Sequence, residues 1–317
     1  MIWPSLSIII PSFNQGRFIE RTLLSILGQD YPGSLQVIVS DGGSTDETVD
    51  VLRRYPLIQW WSRRDDGLVD AVNKGFAQAS GDILAIQSSD DFYLPDAFRR
   101  SIGELMHDQT LGIVSGCDVY VQPDRSTFSC SPLDDHEITP RSLLMRRVIP
   151  QHCAFFRRDI LEKVGGLRAF IAEGAEIDLW YRALHFVRGR FIPFHTAAYQ
   201  FHAQQRTRKG DRWYESLTRM VESCEQEKRF AERFTLAKAD RRELYQRWML
   251  QEAQRVGDER RIVSLTHALS IFCSEETRSF LTLHGFIPRH VAKQQARHPN
   301  HRVPDLQWFA RSDRSAA

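Results

Sequence analysis

Two adjacent carboxylates follow a short apolar run near residue 90. The run Ile83-Leu84-Ala85-Ile86 lies between Gly81-Asp82 and a polar segment, which is typical of a buried strand. We therefore expect Asp90 and Asp91 to lie together at the carboxyl end of that strand. Two carboxylates at one place repel each other, and a hard divalent cation with oxygen ligands relieves that repulsion. The pair predicts a metal site, and an acidic turn that caps the next helix is the alternative.

Two earlier apolar runs end in the same way. Leu6-Ser7-Ile8-Ile9-Ile10 leads into Pro11-Ser12-Phe13-Asn14, and Gln36-Val37-Ile38-Val39 leads into Ser40-Asp41-Gly42-Gly43. A helical pattern follows each of them, so strands alternate with helices, which predicts an α/β fold. In open α/β sheets, ligands bind outside the carboxyl ends of the strands. Three strand ends therefore carry the polar groups of one predicted site.

Six short segments stand in a fixed order between residues 5 and 100. They are residues 8–14, 25–29, 39–46, 70–75, 79–82 and 89–95. Together they resemble the nucleotide-sugar-binding half of glycosyltransferase family 2, an inverting family with the GT-A fold. Further matches extend to about residue 202. The resemblance implies a Rossmann-like mixed sheet flanked by helices, with a helical C-terminal extension.

The resemblance also implies roles for individual residues. Asp91 corresponds to the metal position, and His202 resembles a histidine near the metal and pyrophosphate. Glu176 stands where the family has its general base, with Asp178 as the fallback. The residues expected to bind the nucleotide sugar are Pro11, Ser12, Phe13, Asn14, Asp41, Asp65, Asn73, Lys74 and Asp90.

The sequence departs from the family pattern at two of these places. Gly42 replaces the second acid of an Asp-Asp pair, which leaves the preferred base open. Glu176 replaces an aspartate, and its alternative role is a helix N-terminal acid favoured by the macrodipole. Asp178 would point about 200° away from Glu176 on a helix. For Asp65, a nucleobase contact and a helix cap remain equal alternatives.

The expected reaction is transfer of a sugar from a nucleoside diphosphate to an acceptor hydroxyl. The expected cofactor is Mn²⁺ or Mg²⁺, the donor is linked to UDP, dTDP or GDP, and the acceptor is a glycan or a lipid-linked glycan. We expect no nucleic acid partner, and the sequence predicts no oligomeric state. A non-catalytic descendant that binds a nucleotide or a partner is the first alternative. A sugar nucleotidyltransferase is the second, although the Gly-rich, Arg-containing signature that it needs is missing from residues 11–16.

The charge distribution predicts two parts of the chain. The 317 residues carry a net charge of +2, but acidic residues prevail up to residue 202 and basic residues prevail beyond it. We therefore predict a GT-A catalytic domain over residues 1–203 and a helical extension over residues 204–317. Residues 286–302 contain four Lys or Arg and no acid. This segment predicts contact with an anionic membrane surface, with a solvated helix face as the alternative.

The remaining composition predicts a cytoplasmic enzyme. No run approaches the roughly 20 apolar residues of a membrane span, and the N-terminus lacks the pattern of a signal peptide. Five scattered cysteines without a Cys-x-x-Cys pair favour reduced thiols over disulfides or a zinc site. We therefore expect the protein in the cytoplasm, and contact with the inner face of the membrane is the alternative that the basic segment offers.

Overall fold

A mixed β-sheet forms the centre of the protein in the computed structural model. The structure describes residues 2–129, 135–146, 149–171, 173–205 and 213–227, together with residues 246, 249 and 250. The strands are β1 (Leu6–Ser12), β2 (Leu35–Asp41), β3 (Gln59–Ser62), β4 (Ile83–Ile86), β5 (Phe92–Tyr93), β6 (Leu111–Val121), β7 (Thr127–Phe128), β8 (His136–Ile138), β9 (Ala154–Arg157) and β10 (Arg188–Gln200). The main path through the sheet is β3-β2-β1-β4-β9-β6-β10-β5.

Helices cover both faces of this sheet. They are α1 (Gly16–Leu27), α2 (Thr48–Arg53), α3 (Leu68–Gln78), α4 (Ala97–His107), α5 (Pro140–Arg146), α6 (Asp159–Val164), α7 (Ala175–Ala183) and α8 (Trp213–Gln226), with a short 3-10 helix at Gln151–Cys153. Alternate residues of β1 serve the two faces: Ile8 and Ile10 belong to one hydrophobic core, and Ile9 belongs to the other. This alternation follows from the two-residue period of a strand. The predicted mixed sheet flanked by helices is confirmed.

The strand directions divide the sheet into two parts. β3, β2, β1 and β4 are parallel, as expected for strands joined by helices. β9 then runs antiparallel between β4 and β6. β10 is parallel to β6 and antiparallel to β5. The parallel part therefore presents the carboxyl ends of four neighbouring strands at one edge.

Helix α8 shares the core of the preceding residues. Leu217, Met220 and Val221 are buried in the same hydrophobic cluster as Trp180 of α7. An ion pair of 2.5 Å joins Arg168 to Glu227, just after α8. The predicted boundary at residue 203 therefore falls before a helix that packs onto the catalytic part. The predicted basic segment 286–302 lies outside the described residues.

The described helices give no sign of a membrane span. Within that part of the chain, none of them has both the length and the apolar character that crossing a bilayer requires.

We predict that Met220 of α8 contributes to stability as a core residue does. Met220→Ala should lower the free energy of unfolding by about 2–5 kcal/mol, because it leaves a cavity in a packed core. Glu222→Ala, at an exposed position of the same helix, is the control and should change it by less than about 0.5 kcal/mol. Denaturant unfolding of both variants tests this. Equal stabilities of the two variants would show that α8 is not part of the core.

Candidate active site

The sheet order creates a crevice between two strand ends. The connection from β1 leads to β2 on one side, whereas β4 pairs with the other side of β1. In open α/β sheets, ligands bind outside the carboxyl ends of the strands at such a switch point. Ser12 ends β1, and the acid pair Asp90-Asp91 follows β4. The structure thus brings together the first and third predicted strand ends.

Hydrogen bonds from other elements hold the acid pair in place. The Thr22 hydroxyl of α1 donates to the carbonyl oxygens of Ser89, at 3.0 Å, and Asp91, at 2.6 Å. The backbone N–H of Gln200, in β10, donates to Oδ1 of Asp91 over 3.0 Å. The pair is therefore held in place by hydrogen bonds from both α1 and β10.

Asp90 is paired with a histidine. Nε2 of His202 lies 2.9 Å from Oδ2 of Asp90, and the His202 ring stacks on Phe18 with centroids 4.3 Å apart. His202 was predicted beside the metal position at Asp91. Its carboxylate partner is instead Asp90, because β10 ends at Gln200 and the next two residues bring the His202 ring against Phe18 of α1.

Asp91 is the more buried of the two acids, with 1% of its surface exposed. Its Oδ2 atom has no hydrogen-bond partner among the described residues. Burial, followed by the charges of Asp90 and Asp118, raises the pKa of the Asp91 carboxyl well above its usual range. A buried acceptor without a partner is costly in a folded protein. A cation bound at Oδ2 would therefore offset the free-energy cost of burying this acceptor without a partner.

A buried histidine and a third acid lie behind Asp91. His152 of the 3-10 helix places Nδ1 at 3.9 Å from Oδ2 of Asp91 and Nε2 at 3.8 Å from Oδ2 of Asp118. Both distances exceed hydrogen-bond length. Burial lowers the pKa of His152. Asp118 was not predicted as a site residue, although an acid inside the long apolar run 111–121 was a signal in the sequence.

The acid pair fits a divalent cation that also binds phosphate. Among the residues that the structure describes, no three His, Cys, Asp or Glu side chains converge as a complete metal centre. Mg²⁺ in phosphate-binding sites commonly takes only one or two carboxylates, and substrate phosphates and water complete its ligands. The unpartnered Oδ2 of Asp91, beside the carboxylate of Asp90, meets that requirement.

Asp41 is buried at the end of β2 and organises its own turn. Its carboxylate accepts hydrogen bonds from the backbone N–H groups of Gly43, at 3.1 Å, and Ser44, at 2.9 Å. The hydroxyls of Ser44, at 2.5 Å, and Ser62, at 2.6 Å, donate to it as well. Asp41 was predicted to bind the nucleotide sugar. The structure uses its carboxylate to hold the turn and to join β2 to β3.

The residues after β1 form the rim of the crevice. Pro11 and Ser12 are buried, whereas Phe13 and Asn14 are exposed. Asn14 has a φ of 54°, and its Oδ1 accepts a hydrogen bond from the N–H of Thr45 over 2.8 Å. This contact joins the turn after β1 to the turn after β2.

Asn73 and Lys74 of α3 are engaged within the protein. The Asn73 amide donates to the carbonyl oxygen of Leu167 and accepts from its N–H, both over 2.9 Å. Nζ of Lys74 lies 2.5 Å from Oδ2 of Asp70, one turn earlier. The predicted donor contact of Asn73 does not fit this geometry, because both ends of its amide hold the chain after α6.

Glu176 and Asp178 both lie on helix α7 but in different surroundings. Asp178 is fully buried and lies 2.8 Å from Nη2 of Arg182 and 3.5 Å from Nε of Arg168. Burial raises the pKa of Asp178. Glu176 stands in the first turn of the same helix and is only partly buried. The fallback role of Asp178 as a base does not fit, because its carboxylate is enclosed in a core ion pair.

Comparison with known proteins agrees with this architecture. Residues 7–165, half of the chain, match the family model for glycosyl transferase family 2. An uncharacterized glycosyltransferase of Mycobacterium tuberculosis is 34% identical over 189 residues, which cover 57% of this chain and 69% of that protein. A GalNAc(5)-diNAcBac-PP-undecaprenol beta-1,3-glucosyltransferase of Campylobacter jejuni is 29% identical over 188 residues, covering 56% of this chain and 59% of the relative.

A solved structure shares the fold. The mannosyltransferase of Pyrobaculum calidifontis, in complex with GDP-Man and Mn²⁺, superposes with a TM-score of 0.58 at 20% identity, covering 90% of this chain and 81% of the other. At this identity the likeness shows the fold alone, and the GT-A fold is confirmed. With the family match over half of its length, the chain belongs to glycosyl transferase family 2 and is a glycosyltransferase.

Proposed function

We propose that this protein is a metal-dependent, inverting glycosyltransferase that uses a nucleoside-diphosphate sugar. The observation that carries the proposal is the acid pair at the β1/β4 crevice, with one buried Asp91 oxygen that has no described partner. The Pyrobaculum mannosyltransferase was solved with GDP-Man and Mn²⁺, which supports a nucleotide sugar and a divalent cation here. The Campylobacter relative acts on an undecaprenol-linked glycan, which supports a glycan or lipid-linked acceptor in polysaccharide or glycolipid synthesis.

The proposed cation would be held by Asp91, with Asp90 beside it. When bound, Mn²⁺ or Mg²⁺ supplies positive charge that stabilises the leaving diphosphate. Asp90 keeps its hydrogen bond with His202 and can accept a hydrogen bond from the donor's ribose or sugar. Thr22 and Gln200 fix the position of the acid pair, so that little reorganisation is needed when the donor binds.

The proposed general base is Glu176. The acceptor oxygen forms a bond to the anomeric carbon while the bond from that carbon to the phosphate oxygen breaks on the opposite face. The electron pair of the broken bond leaves with the diphosphate, and the hydroxyl proton passes to the Glu176 carboxylate. Asp178 anchors α7 through Arg182 and so positions the helix that carries Glu176.

We predict that Asp91→Asn abolishes metal-dependent nucleotide binding without unfolding the protein. An amide keeps the shape of the side chain but removes the charge that attracts the cation. Because a buried charge is lost, the free energy of unfolding should be unchanged or higher. Calorimetry with UDP and GDP, with and without Mn²⁺, measures the binding.

The matched control for this variant is Asp96→Asn. Asp96 is an exposed acid with a φ of 63°, a conformation that asparagine tolerates. The Asp96→Asn variant should bind nucleotide with the same affinity as the wild type. Undiminished Mn²⁺-dependent binding by the Asp91 variant would refute the metal assignment.

We predict that Glu176→Gln lowers sugar transfer by about a hundredfold or more, because an amide cannot accept the acceptor's proton. Donor and metal affinity should stay close to those of the wild type. The rate of transfer is measured with a nucleotide sugar that the protein binds, by following the release of the nucleoside diphosphate. Loss of nucleotide binding in this variant would identify Glu176 as a donor-site or structural residue.

Asp178→Asn provides the contrast on the same helix. It should lower the free energy of unfolding by about 3 kcal/mol or more, because Arg182 and Arg168 lose their buried partner. Glu176→Gln should leave stability almost unchanged. A stable, inactive Asp178 variant beside a fully active Glu176 variant would reverse the assignment of the base.

A further inference from the structure

Four aromatic side chains cluster near the carboxyl ends of β6 and β10. Phe128 of β7 pairs with Tyr120 of β6, and Tyr120 pairs with Tyr199 of β10. Side chains at paired positions lie on the same face of a sheet, so these three form a row across three strands. Phe201 follows two residues after Tyr199, and its ring centroid lies 5.6 Å from that of Tyr120. We call these four residues the aromatic patch.

Three rings of the aromatic patch are nearly parallel. The plane of Tyr120 is tilted by 14° from that of Phe128 and by 22° from that of Phe201, and the planes of Phe128 and Phe201 differ by 15°. The centroids of the three rings are 5.0, 5.6 and 6.3 Å apart, so they form a compact triangle rather than a column. The ring of Tyr199 stands at 76° to that of Phe201 and contributes an edge beside the triangle.

The aromatic patch is exposed, unlike the aromatic clusters of the core. Phe128 has 39% of its surface exposed, and the other three residues of the patch are partly exposed. Tyr93, Phe98 and Phe155 pack at similar ring distances, of 4.9–5.8 Å, and have at most 1% of their surface exposed. Core packing therefore does not account for the patch. Contiguous apolar surface that stays exposed commonly marks a binding site.

The aromatic patch adjoins the candidate active site at two points. The ring centroids of Tyr199 and His152 are 5.7 Å apart, and His152 also faces Asp91 of the acid pair. Phe201 directly precedes His202, which is the partner of the other acid. A ligand on the patch would therefore lie next to the place where the proposed reaction occurs.

The residues predicted to bind the nucleotide lie on the other side of the acid pair. Ser12 ends β1, and Asp41 ends β2. Asp65 follows β3 and lies close to Gly42, because a Cβ atom on Gly42 would come within 2.8 Å of its Oδ2. The aromatic patch is carried by β7, β6 and β10, which lie beyond β9 in the sheet. A ligand on the patch would approach the acid pair from the side opposite to the predicted nucleotide site.

We propose that the aromatic patch binds a pyranose ring of the acceptor glycan, which stacks on Tyr120, Phe128 and Phe201. The inference rests on the proposed function, in which an acceptor hydroxyl must reach the anomeric carbon of the donor beside the acid pair. A pyranose ring presents C–H groups on its faces, and these electropositive groups pack favourably on the negative face of an aromatic ring. Parallel rings suit a rigid sugar face, whereas a flexible lipid chain has no need of parallel rings.

The test is saturation-transfer NMR with the methyl glycosides of glucose, galactose, mannose and N-acetylglucosamine. Mn²⁺ would broaden the signals, so Mg²⁺ is added together with UDP or GDP, whichever of the two the protein binds. Stacking depends on C–H groups that all hexopyranoses share, so the wild type should bind at least one of these glycosides. The ring protons on one face of that sugar should receive more saturation than those on the other, because one face lies against the aromatic protons.

Phe128→Leu should weaken the binding of that glycoside by about fivefold or more, because leucine keeps an apolar side chain but has no aromatic face. Phe128→Tyr should keep the wild-type affinity. Phe194→Leu is the matched control, since Phe194 is a partly exposed phenylalanine of the same sheet, packed against Arg100. It should bind the glycoside like the wild type. Calorimetry should show unchanged nucleotide affinity in all three variants.

Results against the inference are distinguishable from results against the proposed function. If none of the glycosides binds to the wild type, or if Phe128→Leu binds them equally well, while UDP or GDP still binds with a divalent cation, the inference is wrong and the proposed function stands. If Phe128→Leu loses nucleotide affinity as strongly as glycoside affinity, Phe128 supports the fold or the donor site, and the inference is also wrong. If no nucleoside diphosphate binds with a divalent cation, both fail together.

A third substitution at the same position separates a sugar site from a lipid contact. Phe128→Ser removes both the aromatic face and the apolar surface. It should lose glycoside binding as Phe128→Leu does, and its co-sedimentation with phosphatidylglycerol vesicles should equal that of the wild type. Vesicle binding that persists in the leucine variant and is lost in the serine variant would identify the patch as a lipid contact and overturn the inference.

Discussion

The concentration of negative charge at the end of β4 is the constraint on which the site depends. Burial, together with the charge of Asp90 beside it and of Asp118 behind it, raises the pKa of the Asp91 carboxyl. Such an arrangement costs free energy in the absence of a cation. The fold tolerates it because α1, β10 and the 3-10 helix each supply a group that holds or faces the pair. The site is thus assembled by elements that are far apart in sequence, and the sheet is the frame that brings them together.

Much of the parallel half could be predicted from the sequence. Apolar runs of four or five residues that end in Pro-Ser, Ser-Asp and Ser-Asp-Asp mark β1, β2 and β4, and their connections are short enough for local patterns to suffice. Buried residues such as Ile8, Ile9 and Ile10 leave few alternatives to a strand covered on both faces. The position of the acid pair followed from the same logic, because parallel strand ends share one edge.

The partners of the site residues could not be predicted in this way. The pairing of His202 with Asp90, of Asn73 with Leu167, and of Asp178 with Arg168 depends on contacts across 10 to more than 100 residues. A motif gives the type of a side chain and its place along the chain, but not which neighbours use up its hydrogen-bonding capacity. Asp41 illustrates this, since its carboxylate lies at the expected strand end and is nevertheless occupied by its own turn.

The contacts of Arg168 have a consequence for how the family can vary. Arg168 lies 3.5 Å from Asp178 of α7 and 2.5 Å from Glu227 after α8, and its Nη1 donates to the Ser223 hydroxyl over 2.8 Å. The orientation of α7 is therefore set from beyond the segment that the family model matches. A change in α8 that removes Ser223 or Glu227 would remove two of the contacts that hold Arg168 against α7. A chimera that joins one protein's first 165 residues to another's later helices would take α7 and the ion pairs that hold it from the second parent.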